Sequence, residues 1–142
     1  LGVSGRIISG GAVLIGRRSQ KVFLDRGLYE AVPSGGVDMH ALEKNSVNLR
    51  RQIEIELEEE TAMPVSFIQR FHPLYLVKDP AHSTLEICVE LVLHHEACSF
   101  PLLANDEYSE FRWIPIADLP SFLSTHLHET IPVTRYLLQD LL

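Results

Sequence analysis

The chain has 142 residues, 46% of them hydrophobic, with 12 Lys and Arg against 19 Asp and Glu and a net charge of −7. That length predicts one domain, 1–142, able to bury roughly two-thirds of its unfolded surface. The acidic balance argues against nucleic-acid binding, which needs a basic stripe; the basic pairs are Arg17-Arg18 and Arg50-Arg51.

In chain order, Arg6 to Ile15 predicts a strand with a bulge at Gly10-Gly11. A polar turn at Arg17 to Gln20 leads to a second strand, Lys21 to Leu28, and a loop covers Pro33 to Lys44. A helix capped by Asn45 or Ser46 runs to about Thr61 and stops at Ala62-Met63-Pro64. Strands follow at Val65 to Leu76 and Thr84 to His95, joined by a turn from Lys78 to Ser83. In the second of these, Leu85, Ile87, Val89, Leu91 and Leu93 alternate with Glu86, Cys88, Glu90, Val92 and His94. Pro101 to Tyr108 is a loop and Glu110 to Pro115 a short strand. Ile116 to Leu123 and Thr130 to Leu142 close the chain as helices. This order predicts an α/β sandwich, a mixed sheet with the long helix on one face and the last helix on the other, although periodicity alone does not select it over other α+β folds.

The run Ile55-Glu56-Leu57-Glu58-Glu59-Glu60-Thr61-Ala62-Met63 carries the strongest chemical signal. At about 100° per residue, Leu49, Ile53 and Leu57 form one stripe with Met63 close to it, the pattern of a helix packed on a sheet. Glu56 and Glu60 fall within about 20° of the Leu49 direction and Glu59 about 80° from it, whereas Glu54 and Glu58 project away. Gathering carboxylates on a buried face costs on the order of a few kcal/mol each unless a cation compensates. Mg²⁺ or Mn²⁺ suits carboxylate oxygens, and Mg²⁺ shares its shell with substrate phosphates. The plain alternative is an amphipathic helix whose acidic edge reaches water. Upstream, Pro33-Ser34-Gly35-Gly36 offers backbone N–H groups at positive φ, just ahead of a helix N-terminus that favours anions. Taken alone it is more often an ordinary turn.

From Gly36 to Met63 the chain resembles the Nudix box, in which a Gly, a Glu and then Arg-Glu-apolar-any-Glu-Glu-any-Gly-apolar follow at set spacing. Glu56, Leu57, Glu59, Glu60 and Met63 match its second half. The segment Glu110-Phe111-Arg112-Trp113-Ile114-Pro115-Ile116-Ala117-Asp118-Leu119 is similar to the late strand and turn of many Nudix domains, so the resemblance spans most of the chain. Three departures stand out. Ile55 occupies the Arg position, Ala62 occupies the Gly position, and five extra residues separate Gly36 from Glu56, which leaves Glu43 a loose match to the first Glu. Arg51, one turn before Ile55, is the candidate to supply the missing guanidinium, and Ala62 fits provided its φ stays negative.

The resemblance implies a Nudix-type α/β/α sandwich and metal-dependent hydrolysis of a phosphoanhydride bond in a nucleoside diphosphate linked to another group. It implies Mg²⁺ or Mn²⁺ on Glu56, Glu59 and Glu60, with Glu56 and Glu59 in catalysis and the diphosphate over Gly35, Gly36 and Arg51. A further acid is sought among Glu43, Glu90, Glu107 and Glu110, with Asp106 beside them. The expected partner is a small nucleotide diphosphate derivative, and a homodimer is open. Ile55 and Ala62 support an alternative, a Nudix-like domain that binds a nucleotide or metabolite without cleaving it. A third reading, isomerisation of a diphosphate ester on a related fold, needs a catalytic Cys that the sequence does not place. Pro80 falls slightly late for the Pro that marks the ADP-ribose branch, so the second group is not specified.

Cys88 and Cys98 form no disulfide framework, and a reducing cytoplasm is the expectation. No apolar run is long enough for a bilayer and no signal-peptide pattern opens the chain, so no membrane partner is expected. It starts at Leu1 instead of Met, which is compatible with a piece of a longer protein. The seven histidines include no i, i+4 helical pair; His94 and His95 face opposite sides of a strand, and His126 and His128 read as surface residues. Trp113 reads as packing. Glu86 and Glu90 share one strand face, either solvated or reaching toward the metal.

Overall fold

The computed structural model describes residues 1–38 and 42–142. Strands β1 (Gly2–Ser9) and β2 (Ala12–Arg18) form a hairpin with Ser9 opposite Ala12. Gly10 and Gly11 both have positive φ, 54° and 74°, the geometry of a tight two-residue turn that glycine adopts without steric cost. The glycine pair therefore reverses the chain, where the sequence had suggested a bulge within one strand. The strand expected over Lys21 to Leu28 is a loop. Asp25 and Gly27 have φ of 56° and 73°, which breaks an extended run, and Leu28 O accepts from Arg18 N at 2.9 Å across the loop base. The next strands are β3 (Tyr29–Ala31) and β4 (Ser34–Gly36).

Of the loop expected from Pro33 to Lys44, residues 39–41 lie outside the described residues. The small hairpin of β5 (Leu42–Glu43) and β6 (Ser46–Val47) follows. Helix α1 (Leu49–Thr61) starts later than expected because Asn48 is its cap, its side chain accepting from Arg51 N. The strand expected from Val65 opens with a 3-10 turn, Val65–Phe67, before β7 (Ile68–Lys78). Then come β8 (Leu85–Leu93), β9 (Tyr108–Pro115), α2 (Leu119–Thr125) and α3 (Pro132–Gln139), the two last helices each with a proline in the first turn.

The main sheet runs β3-β2-β1-β8-β7, with β9 also on β2 and β4 also on β1. Its β1–β8 pairing is parallel and the other pairings are antiparallel, so it is mixed. β1 stays with β2 only near the hairpin; farther along, β1 takes β4 as partner (Val3 opposite Gly35) and β2 takes β3 (Ile15 opposite Ala31). The sheet thus splits between β4 and β3.

Alternation along the strands sends side chains to two faces. Val3, Ile7, Leu14 and Val89 pack with Ile53, Leu57 and Met63 of the α1 side, all fully buried. Val13, Ile15 and Cys88 pack with Leu119, Leu137 and Leu138 on the other side. The α/β/α sandwich, with the acidic helix on one face and the C-terminal helix on the other, is the arrangement expected. Among the described residues no helix is long and apolar enough to cross a membrane.

Candidate functional site

The apolar stripe Ile53-Leu57-Met63 anchors α1 to the sheet and so fixes which way its glutamates point. Glu60 is buried, 2% exposed, and its carboxylate accepts from the backbone N–H of Ser34 at 3.1 and 3.3 Å. Burial, reinforced by the charges of Glu30, Glu107 and Glu56, pushes its pKa well above the usual carboxylate range. One turn earlier, Glu56 Oε1 accepts from the amide of Gln52 at 2.8 Å. Its pKa rises to about 7, chiefly through burial, with Glu59, Glu107 and Asp38 adding to the rise and the Gln52 hydrogen bond opposing it. Glu59 is exposed at the rim.

Gly35 is where β4 meets this helix: a Cβ there would overlap the Glu56 carboxylate. Gly36 has open space instead. Neither glycine has positive φ, since both are extended residues paired with β1. The pair also lies beside the C-terminal half of α1, at Glu56 and Glu60, and not at the helix N-terminus, whose Arg51 N–H is taken by Asn48. The expected left-handed turn leading into a helix N-terminus is thus replaced by a strand that needs glycine for close approach.

Sequence reasoning missed the groups that complete the cluster. Glu30 of β3 is buried at 9% exposure; it pairs with Arg18 at 2.9 Å and accepts from the Tyr108 hydroxyl at 2.7 Å. Arg18 also lies 3.8 Å from Glu107. Burial and the nearby Glu30 raise the pKa of Glu107, which makes it the one expected further acid that the fold brings to the site. Asn105 holds that segment: its amide donates to Glu60 O at 2.8 Å, and its side-chain oxygen accepts from Glu107 N and Tyr108 N. Gln52, fully buried, accepts from Asp38 N at 3.2 Å while donating to Glu56. It ties the loop to the helix. Arg51 itself is half exposed and lies 3.9 Å from Glu54, too far round the helix to touch the glutamate cluster.

The other expected acids lie elsewhere. Glu90 points to the α3 face, where the buried Arg6 guanidinium approaches it at 2.6 Å and also contacts Asp140 and Leu137 O. Glu110 pairs with Arg112 at 3.2 Å and Arg17 at 3.8 Å, and both arginines lie over Tyr29 in the cluster of the α3 side. Glu43 accepts from the side-chain amide of Asn48, the α1 cap, at 3.0 Å, and Asn48 itself lies about 16 Å along the helix axis from Glu59. Ala62 adopts φ 59° and ψ 8°, contrary to the negative φ expected of it, so an alanine holds a left-handed helix cap, a conformation that glycine adopts at lower cost. Burial pushes the Cys88 thiol up to about 12 on the α3 face, and Cys98 bonds Ser9 O by the first hairpin. Neither cysteine joins the glutamates, which removes the support for the isomerase reading.

Among the described residues no three His, Cys, Asp or Glu side chains converge closely enough to form a ready-made ligand set. The donor chemistry nonetheless fits a hard cation. Glu56 and Glu60 are raised chiefly by burial and further by neighbouring carboxylates, and the Arg18 guanidinium that answers this cluster is already held by Glu30. Uncompensated carboxylates of this kind are relieved by a proton or by a divalent ion.

No family sequence profile matches the chain, and no curated protein does. Solved structures do. The Nudix hydrolase of Alicyclobacillus acidocaldarius superposes with a TM-score of 0.72 at 13% identity, over 99% of this chain and 89% of that one. The MutT Nudix hydrolase of Burkholderia pseudomallei gives 0.65 at 22% identity, over 97% and 94%. The Nudix domain of NrtR from Shewanella oneidensis, solved with ADP ribose, gives 0.58 at 19%, over 84% and 75%. The chain has the Nudix fold.

Proposed function

We propose that the chain is a divalent-metal-dependent hydrolase of a phosphoanhydride bond in a nucleoside diphosphate linked to a second group. The observation that carries this reading is the Glu56 carboxylate pressed against Gly35, with a pKa of about 7 and the wholly buried Glu60 one turn on. A carboxyl poised near neutrality can both accept a proton and receive a cation. The Nudix fold supports it, and so does the ADP ribose bound by the NrtR domain.

On this reading Glu56 and Glu59 hold Mg²⁺ or Mn²⁺, with Glu60 and Glu107 beside them. The ion supplies charge neutralisation on the phosphoryl oxygens and acidifies a water. The chain's own residues do the rest. Gln52 occupies Glu56 Oε1 and leaves Oε2 to accept the water's proton. Gly36, with open space where a side chain would stand, lets a diphosphate approach the backbone, and Gly35 lets the Glu56 carboxylate sit against β4 beside it. Glu60 pins Ser34 and so holds β4 at its distance from α1. Catalysis then comes chiefly from positioning and charge.

The test is a hydrolysis screen with Mg²⁺ over ADP-ribose, sugar nucleotides, dinucleoside polyphosphates, CoA and nucleoside triphosphates, comparing native protein with Glu56→Gln and Glu59→Gln. A single glutamine should cut turnover by roughly a hundredfold or more, on the scale of a lost acid–base group. Equal turnover by native protein and both variants would remove the assigned site. A second reading, binding without hydrolysis, is favoured by Ile55 at the box arginine and by the lack of a preassembled ligand triad among the described residues. It predicts nucleotide binding with no turnover on any compound.

A further inference from the structure

If a diphosphate lies along β4 as proposed above, the second group must go somewhere, and the split in the sheet provides a place. A cleft of about 240 Å³ opens there, walled by Ser34, the loop after β2, the turn between β7 and β8, and the start of α3. Ser34 lines the cleft while its backbone N–H bonds Glu60, and Gly35 against Glu56 is the next residue. The cleft is thus one residue away from the glutamate cluster.

Its chemistry is selective. Glu86 lines it, with Oε2 accepting from Ser4 Oγ at 3.0 Å and Oε1 lying 3.5 Å from the Thr84 hydroxyl; among the described residues no side-chain cation pairs with it. Arg18 enters from the far side, already bonded to Glu30. At the mouth His82 joins Asp79 at 2.8 Å and Asp25 at 3.5 Å, linking the β7–β8 turn to the loop after β2. Four carboxylates face one arginine and one histidine, so a second group carrying phosphates or a carboxylate is repelled. Among the described residues no Phe, Tyr or Trp lines the cleft, which leaves no broad aromatic face on which a base stacks. The volume lies below the range typical of drug-sized sites, about 300 Å³ and above, and suits one ring better than an extended chain. A ring bearing several hydroxyls meets each requirement, because every O–H can donate to a carboxylate while its oxygen accepts from the Arg18 N–H groups that Glu30 and Leu24 O leave over.

We propose that this cleft receives the second group of the substrate, that the group is an uncharged polyhydroxylated sugar, and that Glu86 is the residue that selects it. The inference rests on the hydrolase reading for its substrate, and the test separates the two. Native protein and Glu86→Gln are assayed with Mg²⁺ on UDP-glucose, GDP-mannose and ADP-ribose against ATP and diadenosine tetraphosphate. The expected result is a kcat/KM at least about tenfold higher on one of the sugar nucleotides than on ATP. Glu86→Gln should erase that preference by raising KM for the sugar nucleotide roughly tenfold, the scale of a hydrogen bond to a charged acceptor, while the rate on ATP does not fall, since one of the carboxylates that repel its phosphates is gone. Preference for ATP or the dinucleotide overturns the proposal while leaving the hydrolase reading intact, and so does an equal loss on every substrate in Glu86→Gln. A binding arm uses Glu56→Gln protein and compares the thermal shift given by each sugar nucleotide with that given by its parent nucleoside diphosphate. A sugar-dependent shift that vanishes in the Glu56→Gln/Glu86→Gln double variant supports the cleft even where no compound is hydrolysed, and the absence of any sugar-dependent shift overturns it.

Discussion

Replacing Glu56 with Gln in metal-free protein isolates the energetic strain of the central carboxylate. A carboxyl raised from 4.5 to about 7 costs at most about 3.5 kcal/mol when ionised, at about 1.4 kcal/mol per pKa unit. Glu56 is only partly buried, and solvent screening brings the figure to about 1–2 kcal/mol. The sign follows from linkage: the folded pKa lies above the unfolded one, so the stability contributed by the neutral carboxyl is complete below about pH 4.5 and is lost as pH rises through about 7. Glutamine keeps the shape, still accepts from Gln52 and does not titrate. Urea unfolding in EDTA at pH 5 and pH 8 is the assay, read as the difference between variant and native protein so that groups not coupled to Glu56 cancel, while Glu60, raised in part by the Glu56 charge, adds to the difference in the same direction. The variant should match native protein within a few tenths of a kcal/mol at pH 5 and exceed it by about 1–2 kcal/mol at pH 8. Excess Mg²⁺ at pH 8 should close that gap by stabilising native protein. Parallel pH profiles for the two proteins would refute the buried-carboxylate argument, and a gap unmoved by Mg²⁺ would refute the metal.

Ala62→Gly should stabilise the protein, because an L-residue held left-handed at a helix end costs about 1–2 kcal/mol, of which the larger unfolded-state entropy of glycine returns part; a net gain of about 0.5–1 kcal/mol, near 2 °C in Tm, is expected by calorimetry, and an unchanged or lowered Tm would contradict the observed cap. Arg6→Met leaves Glu90 without its partner on the α3 face and should cost about 3–5 kcal/mol in urea unfolding, a loss below about 1 kcal/mol meaning that the pair is not buried as observed. Glu90→Gln and Glu110→Gln should leave kcat on the best substrate within about twofold of native, since both carboxylates point away from Glu56; a hundredfold drop in either would return that residue to the site.

What the amino-acid order determined on its own is what depends on local periodicity. A turn of about 3.6 residues places Ile53, Leu57, Glu56 and Glu60 on one side of α1, and the two-residue alternation of β8 separates Ile87, Val89 and Leu91 from Glu86 and Glu90, so the sandwich and the inward glutamates were legible. Alternation does not say which face of the sheet a set of residues takes, because one step of register inverts the choice. Glu90 and Glu110 were therefore legible as strand acids but not as residues of the α3 side. The sign of φ at Ala62, and at Gly35 and Gly36, was likewise set by the elements they join. The pairing of Tyr108 with Glu30, 78 residues apart, exists only because β3 and β9 flank β2. Gln52, Asn105 and Arg18 entered the site by the same route, through contacts that close only when distant strands and the helix pack. Gln52 meets Glu56 one helical turn on, but its contact with Asp38, and those of Asn105 with Glu60 and of Arg18 with Glu30, span 14, 45 and 12 residues, and only the packed sheet and helix bring them within hydrogen-bond reach.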